Sequence, residues 1–206
     1  MLRAGMRLLV LLLASATIVG RMARLIKTHA TYDDLVAVPE NLVAEMFDGE
    51  LHASPRPALP HAHAASALGM ELGAPFQRGR GGPGGWRLLY EPELRFGRDV
   101  LVPDFAGWRR ERLPAVPDEA YLTLAPDWVC EVLSPATETI DRGKKLEVYA
   151  REGVAHAWLL DPSIRRLEVL ALKSRGWTLV ATHEGDVTIR AEPFGAVGLE
   201  LGALWV

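Results

Sequence analysis

Cysteine is nearly absent from the sequence. One thiol, Cys130, among 206 residues excludes an intramolecular disulfide and any cysteine-based zinc site. It sits in Trp128-Val129-Cys130-Glu131-Val132-Leu133, an apolar run, and is expected as a small buried hydrophobe rather than a nucleophile. The histidines show no zinc-ligand spacing. An apolar run of the ~20 residues that cross a bilayer is missing as well, because Leu8–Val19 falls short of it. Neither sign of charge dominates: 23 Lys and Arg against 26 Asp and Glu leave a formal net charge of -3. Composition therefore does not announce a nucleic-acid binder, although an acidic enzyme can carry a local basic groove. There is no internal repeat. The glycine-rich stretch from Gly79 to Gly85 lacks the Gly-Lys-Ser/Thr ending of a nucleotide-binding loop and no helix is expected after it. It reads as a surface loop, with Arg78 and Arg80 placed for a backbone phosphate.

What is present suits one α/β domain. The length and the 49% hydrophobic, 24% charged composition support a single compact unit over 23–206. Residues 1–22 stand apart. Arg3 and Arg7 before the apolar run, with Ala14-Ser15-Ala16 inside it, have the form of a secretory signal, and Met22 makes an equally good start for the domain. Thr31 to Val38 reads as a capped helix, and Glu45 to His52 as a hairpin turning at Asp48-Gly49. His61 to Leu72 reads as a helix stopped by Gly73. Strands are expected at Trp86–Tyr90, Glu93–Phe96, Val100–Trp108, Trp128–Leu133 and Ala157–Pro162, with a crossover helix from Asp141 to Arg151 ended by Gly153. Three short strands follow, at Arg166–Leu172, Trp177–Thr182 and Val187–Arg190. Strands grouped around a crossover helix predict a mixed sheet with helices against it.

Two acids stand within or beside these apolar runs. Asp104 follows Val102-Pro103, and Glu131 lies inside Trp-Val-Cys-Glu-Val-Leu, where a lone carboxylate is costly to bury. If their strands are neighbours, the pair can hold a hard divalent cation, which asks for only one or two protein carboxylates. Phosphodiester hydrolysis needs a positioned water, charge neutralisation on the non-bridging oxygens and stabilisation of the leaving oxygen, and such a cation supplies much of this. Lys144-Lys145, at the start of the crossover helix, offers a positive group.

The order Pro103-Asp104, Glu131, lysine resembles the PD-(D/E)XK nuclease superfamily. The fuller series is similar to the Uma-two family of restriction-endonuclease-like proteins: Phe47-Asp48-Gly49-Glu50-Leu51, His61, Val102-Pro103-Asp104, Glu131-Val132-Leu133-Ser134-Pro135-Ala136-Thr137, Asp141-Arg142-Gly143-Lys144-Lys145, Tyr149, Gly153-Val154 and Trp158-Leu159-Leu160-Asp161-Pro162. It spans about Thr31 to Leu172. The resemblance implies a restriction-endonuclease-like fold with an αβββαβ core, an N-terminal hairpin and C-terminal strands. It also implies Mg²⁺- or Mn²⁺-dependent cleavage of DNA by a cytoplasmic protein, with pairing into a homodimer to cut both strands. Asp104 and Glu131 are then the metal ligands and Lys145 the assisting cation. The superfamily lysine usually lies two residues after the acid, where this chain has Leu133, and the Uma-two pattern moves it to the helix, at Lys145. Glu50, His61 and Glu93 are secondary candidates. Asp141 and Ser134-Pro135 are expected to shape the turn and cap the helix. A nuclease fold that binds nucleic acid or a protein partner without cutting is the alternative, and an exported hydrolase follows if residues 1–20 are a true signal.

Overall fold

The computed structural model describes residues 23–206, so the expectations for residues 1–22 lie outside the described residues. Strand β1 (Arg24–Lys27) precedes α1 (Tyr32–Val36), which Thr31 caps: its hydroxyl accepts from the Asp34 N–H while the Asp34 carboxylate accepts from the Thr31 N–H. Strands β2 (Leu42–Phe47) and β3 (Glu50–Pro55) form the expected hairpin. Its two-residue turn places Asp48 at φ 49° and Gly49 at φ 78°, the left-handed pair that matches strand twist. β5 (Leu94–Phe96) and β6 (Asp99–Leu101) complete an antiparallel sheet in the order β1-β3-β2-β6-β5.

The second sheet runs β11-β10-β9-β8-β7-β4, with β4 (Trp86–Tyr90), β7 (Phe105–Arg109), β8 (Trp128–Val132), β9 (His156–Asp161), β10 (Arg166–Lys173) and β11 (Gly176–Glu184). All neighbours are antiparallel except β8 and β9. A parallel pair needs a crossover, and the segment from Glu138 to Arg151 supplies it. It comprises α3 (Glu138–Ile140), a π-turn over Asp141–Lys145 and α4 (Leu146–Arg151), and Gly153 at φ 77° ends it. Helix α2 (Leu59–Leu72) lies on one face of this sheet, packing Ala64, Ala65 and Leu68 with Phe105, Trp128, Cys130 and Val132. On the other face Ala106, Trp108 and Val129 join Val148 and Tyr149 of α4 and Leu94 and Leu101 of the first sheet. Trp86, Trp108, Trp128 and Trp158 are fully buried, and the Phe194 ring meets three of them, edge-to-face with Trp128 and Trp158 and tilted against Trp86. α2, β4, β7, β8, the crossover and β9 are the expected αβββαβ core.

Three element readings are corrected. The single strand expected over Val100–Trp108 is two, β6 and β7, in different sheets. Pro103 has no N–H to give a ladder, and the chain changes sheet there. Gly73 does not stop α2: it keeps a right-handed φ of -64°, and a π-turn over Gly73–Gln77 continues the helix. The strand expected at Val187–Arg190 shrinks to β12 (Thr188–Ile189), paired with β13 (Leu199–Glu200), and a 3₁₀ turn over Leu201–Leu204 follows. These segments pack by burial rather than by strand pairing: Ile189, Phe194, Leu201 and Leu204 enter the core beneath α2.

Candidate functional site

The sheet change at Val102-Pro103-Asp104 builds the site. Leaving both ladders strips the backbone of its strand partners, and side chains replace them. The Val102 N–H donates to Glu45 Oε1 (2.9 Å), and its carbonyl accepts from Lys145 Nζ (3.4 Å). The Asp104 carbonyl accepts the Glu91 N–H (3.1 Å). Asp104 lies one position before the Phe105↔Cys130 pair of the β7–β8 ladder, which puts it across from Glu131. Its Oδ2 accepts the Val132 N–H (2.7 Å), and its Oδ1 lies 3.2 Å from His61 Nε2 at the start of α2.

Glu131 is 1% exposed, and both its oxygens are engaged. Oε1 accepts the Tyr149 hydroxyl (2.6 Å) and Oε2 accepts from Lys145 Nζ (2.8 Å). Lys145 is equally buried and also meets Glu45 Oε1 (3.1 Å) and Asp141 Oδ1 (3.3 Å). The π-turn widens the helix where Asp141 and Lys145 face each other, a distortion common at functional sites.

One ammonium faces three buried carboxylates, a formal excess of two negative charges when all three are ionised. Burial pushes the Glu131 carboxyl well above the usual carboxylate range; Lys145 opposes this, and Asp141, Asp104 and Glu45 add to it. Glu45 and Asp141 are raised for the same reason, burial outweighing Lys145 and their hydrogen bonds. Burial alone would favour neutral Lys145, but the fields of Glu131, Glu45 and Asp141 win and hold it charged, well above its ordinary value. His61 follows the same pattern more mildly: burial lowers its pKa, Asp104 and Asp141 raise it further, and the net direction is up.

Asp104, Glu131, Lys145 and His61 thus line one cleft of about 50 Å³, together with Glu45, Glu91 and Asp141. That is room for an ion and a few waters. The donors are hard oxygens, the set that suits Mg²⁺ or Mn²⁺, and the formal excess of two negative charges matches a divalent cation. Among the described residues no group of three or more His, Cys, Asp and Glu side chains is gathered to cage a metal. A cation held there by Asp104 and Glu131 would keep much of its water.

Two of the secondary candidates are elsewhere. Glu50 does not line the cleft and pairs with Lys144 and His52. Glu93 holds Arg95 (2.6 Å), whose guanidinium is stacked between the Tyr32 and Tyr121 rings. Asp141 is no helix cap but a buried partner of Lys145. Glu45 and Tyr149 were not singled out as site residues. Glu45 carried the same signal as Glu131, an acid inside an apolar strand run, Leu-Val-Ala-Glu-Met-Phe.

A mixed sheet with a crossover helix, and an acidic cleft where two strands and that helix meet, define a restriction-endonuclease-like fold. Residues 30–203 match the Uma2 family, described as "putative restriction endonuclease", and the chain belongs to that family. Among solved structures it is similar to a "putative nuclease belonging to DUF820" from Anabaena variabilis, with 21% identity and a TM-score of 0.66 over 84% of this chain and 96% of that one. No curated protein matches the chain. Among the described residues no helix is long and apolar enough to cross a membrane.

Proposed function

We propose that the chain is a divalent-metal-dependent endonuclease of DNA, acting in the cytoplasm. The observation that carries this reading is the meeting of Asp104, Glu131 and Lys145 in a cleft with a formal excess of negative charge. Asp104 and Glu131 would hold Mg²⁺ or Mn²⁺, with waters and a substrate phosphate completing its shell. Such an ion, when bound, supplies charge neutralisation at the phosphate and a more acidic water. The Val132 N–H and His61 fix the Asp104 carboxylate, as Tyr149 and Lys145 fix that of Glu131. Lys145 adds a permanent positive charge beside the cleft, which favours the charge that develops at phosphorus. His61 would act through Asp104, the carboxylate its Nε2 faces at 3.2 Å. Nicking of plasmid DNA with Mg²⁺ or Mn²⁺ tests this: wild type is expected to cut, and Asp104→Ala and Glu131→Gln to lose at least a hundredfold. Equal activity in the variants, or no cleavage by the wild type on any DNA form, overturns it.

A second reading is a nuclease fold that binds nucleic acid without cutting. Its support is that the Lys145 ammonium already fills the centre of the acidic group. Metal-independent DNA binding by a wild type that never cuts would select it.

A further inference from the structure

The end of the second sheet away from the cleft is rich in arginine, on a protein whose net charge is negative. Arg78 and Arg80 are exposed in the loop after α2, as are Arg109 at the end of β7 and Arg110 just past it, while Arg87, second in β4, is half-buried. None of the five has a carboxylate partner. Arg110 is tied instead to carbonyls, its Nη2 donating to Gln77 O (2.6 Å) and its Nε to Trp86 O (3.3 Å). Arg87 donates to the Pro114 carbonyl (2.5 Å), and its buried Nε has no partner. The Arg109 guanidinium lies 4.1 Å over the Trp86 ring. Carbonyl and ring anchors fix a guanidinium without neutralising it, so this charge is both ordered and unspent. Nearby Arg112 is different, being paired with Asp127 (2.7 Å), and Glu111 is the acid between them in sequence.

The loop is built rather than loose. The Arg80 N–H donates to Ala74 O, the Gly84 N–H to Pro75 O, and the Arg110 N–H to Gly85 O, each at 2.9 Å. Gly82 packs so closely on the π-turn that a Cβ there would lie 2.5 Å from Pro75 Cβ. These bonds join the loop, the π-turn and the end of β7 into one surface.

That surface lies at the other end of β7 from the cleft, with Arg109 over the Trp86 ring on the α2 side of the sheet. Five residues of extended chain separate Asp104 from Arg109, about 17 Å, or about five base pairs of a duplex. α2 and its π-turn span a similar path of about 24 Å from His61 to Gln77. The fully exposed residues of α2 between them, His63, Ser66 and Met70, carry no carboxylate, and Glu71 is the half-buried acid on that path.

We propose that the arginine face formed by Arg78, Arg80, Arg109 and Arg110 is a second site, which grips the phosphate backbone of a DNA duplex whose scissile bond lies in the acidic cleft. This rests on the endonuclease reading and gives that site its substrate footprint. Contacts of this kind position the duplex and read no sequence.

Binding of a 20-base-pair duplex, measured without divalent metal across a salt series, tests it. Arg78→Gln/Arg80→Gln and Arg78→Glu/Arg80→Glu are suitable because neither side chain has a partner to lose, and an unchanged melting temperature verifies their folding. The double Gln variant is expected to lower the slope of log K against log salt by about 2 and to weaken low-salt binding about tenfold, the Glu variant more. Coincident slopes and affinities for all three proteins overturn the proposal, as does a wild type with no salt-dependent duplex binding. Polyglutamate, if bound in an arginine-dependent way while the duplex is not, overturns it in favour of an acidic protein partner. Cleavage by wild type against Asp104→Ala is scored separately: a protein that binds through the arginines but never cuts removes the nuclease reading alone, and one that cuts with the arginines irrelevant removes only this one.

Discussion

At Lys145, a single ammonium holds Glu131, Glu45 and Asp141 together inside the protein. Removing the one cation of such a group leaves its carboxylates buried without a counter-charge, which typically costs several kcal/mol. Lys145→Met is therefore expected to lose about 3 kcal/mol of stability at pH 8. The loss shrinks at pH 5.5, because carboxyls whose pKa values burial has already raised can then take protons instead. Urea unfolding at the two pH values measures both, and an equal loss at each would refute the shared-charge account. Which residues of this group were legible follows from their surroundings. Asp104 and Glu131 stood out because a carboxylate in or beside an apolar strand has no bland explanation. Lys145 was reachable through the family resemblance. Asp141 looked like a helix cap since it starts a helical stretch; only the packing of that stretch on Glu131 shows the side chain turned inward.

At the scale of elements, the sheet change at Pro103 brings an acid of one strand against an acid of another, and close packing on both faces holds β7 in place. Gly107, in the middle of β7, has no room for a side chain. A Cβ there would lie 3.0 Å from Leu88 Cδ2, 3.1 Å from Trp128 Cε3 and 3.3 Å from Trp86 Cε3, with rigid indoles on two sides. Gly107→Ala is expected to destabilise by about 2 kcal/mol, the usual range for overpacking. Any shift of β7 it forces would reach Asp104 three residues away, so cleavage is expected to fall further than stability alone accounts for at a temperature where the variant is folded. Thermal melts with activity at matched folded fraction check this. Strand positions here were readable from apolar runs, and the hairpin from Asp-Gly. The split of Val100–Trp108 between two sheets was not, because a run of apolar residues fits one long strand as well as two short ones. Pro103 was the local sign of it. The C-terminal segments escaped for a related reason: they are buried by contact with α2, which leaves no period in their own sequence.

For the whole molecule, the acidic cleft makes stability a function of pH and, on the proposed function, of divalent metal as well. Glu131, Glu45 and Asp141 have folded pKa values raised above their ordinary ones of 4.5 for Glu and 3.8 for Asp. A raised group contributes stability that is complete below its unfolded pKa and is lost as pH rises through the folded value. The His61 contribution is likewise lost above its raised value, starting from 6.5. Asp34 runs the other way: Lys27 and Thr31 hold it at about 2, so its part is lost as pH falls from 3.8 towards 2, and its exposure keeps that part small. The metal-free protein should therefore be more stable near pH 5.5 than near pH 8. A divalent cation favours the ionised carboxylates and reverses this order. At a concentration 100-fold over its dissociation constant it adds about 2.7 kcal/mol, or about 5–10 °C in melting temperature for a chain of this length. Melting curves at pH 5.5 and 8, with and without Mn²⁺, are expected to show most of that gain at pH 8. In Glu131→Gln the gain should largely vanish, since one of the two proposed ligands has lost its charge, while the metal-free protein should melt no lower at pH 8 than wild type. A Mn²⁺ shift of equal size in Glu131→Gln would place the cation elsewhere and leave the cluster around Lys145 as a structural group.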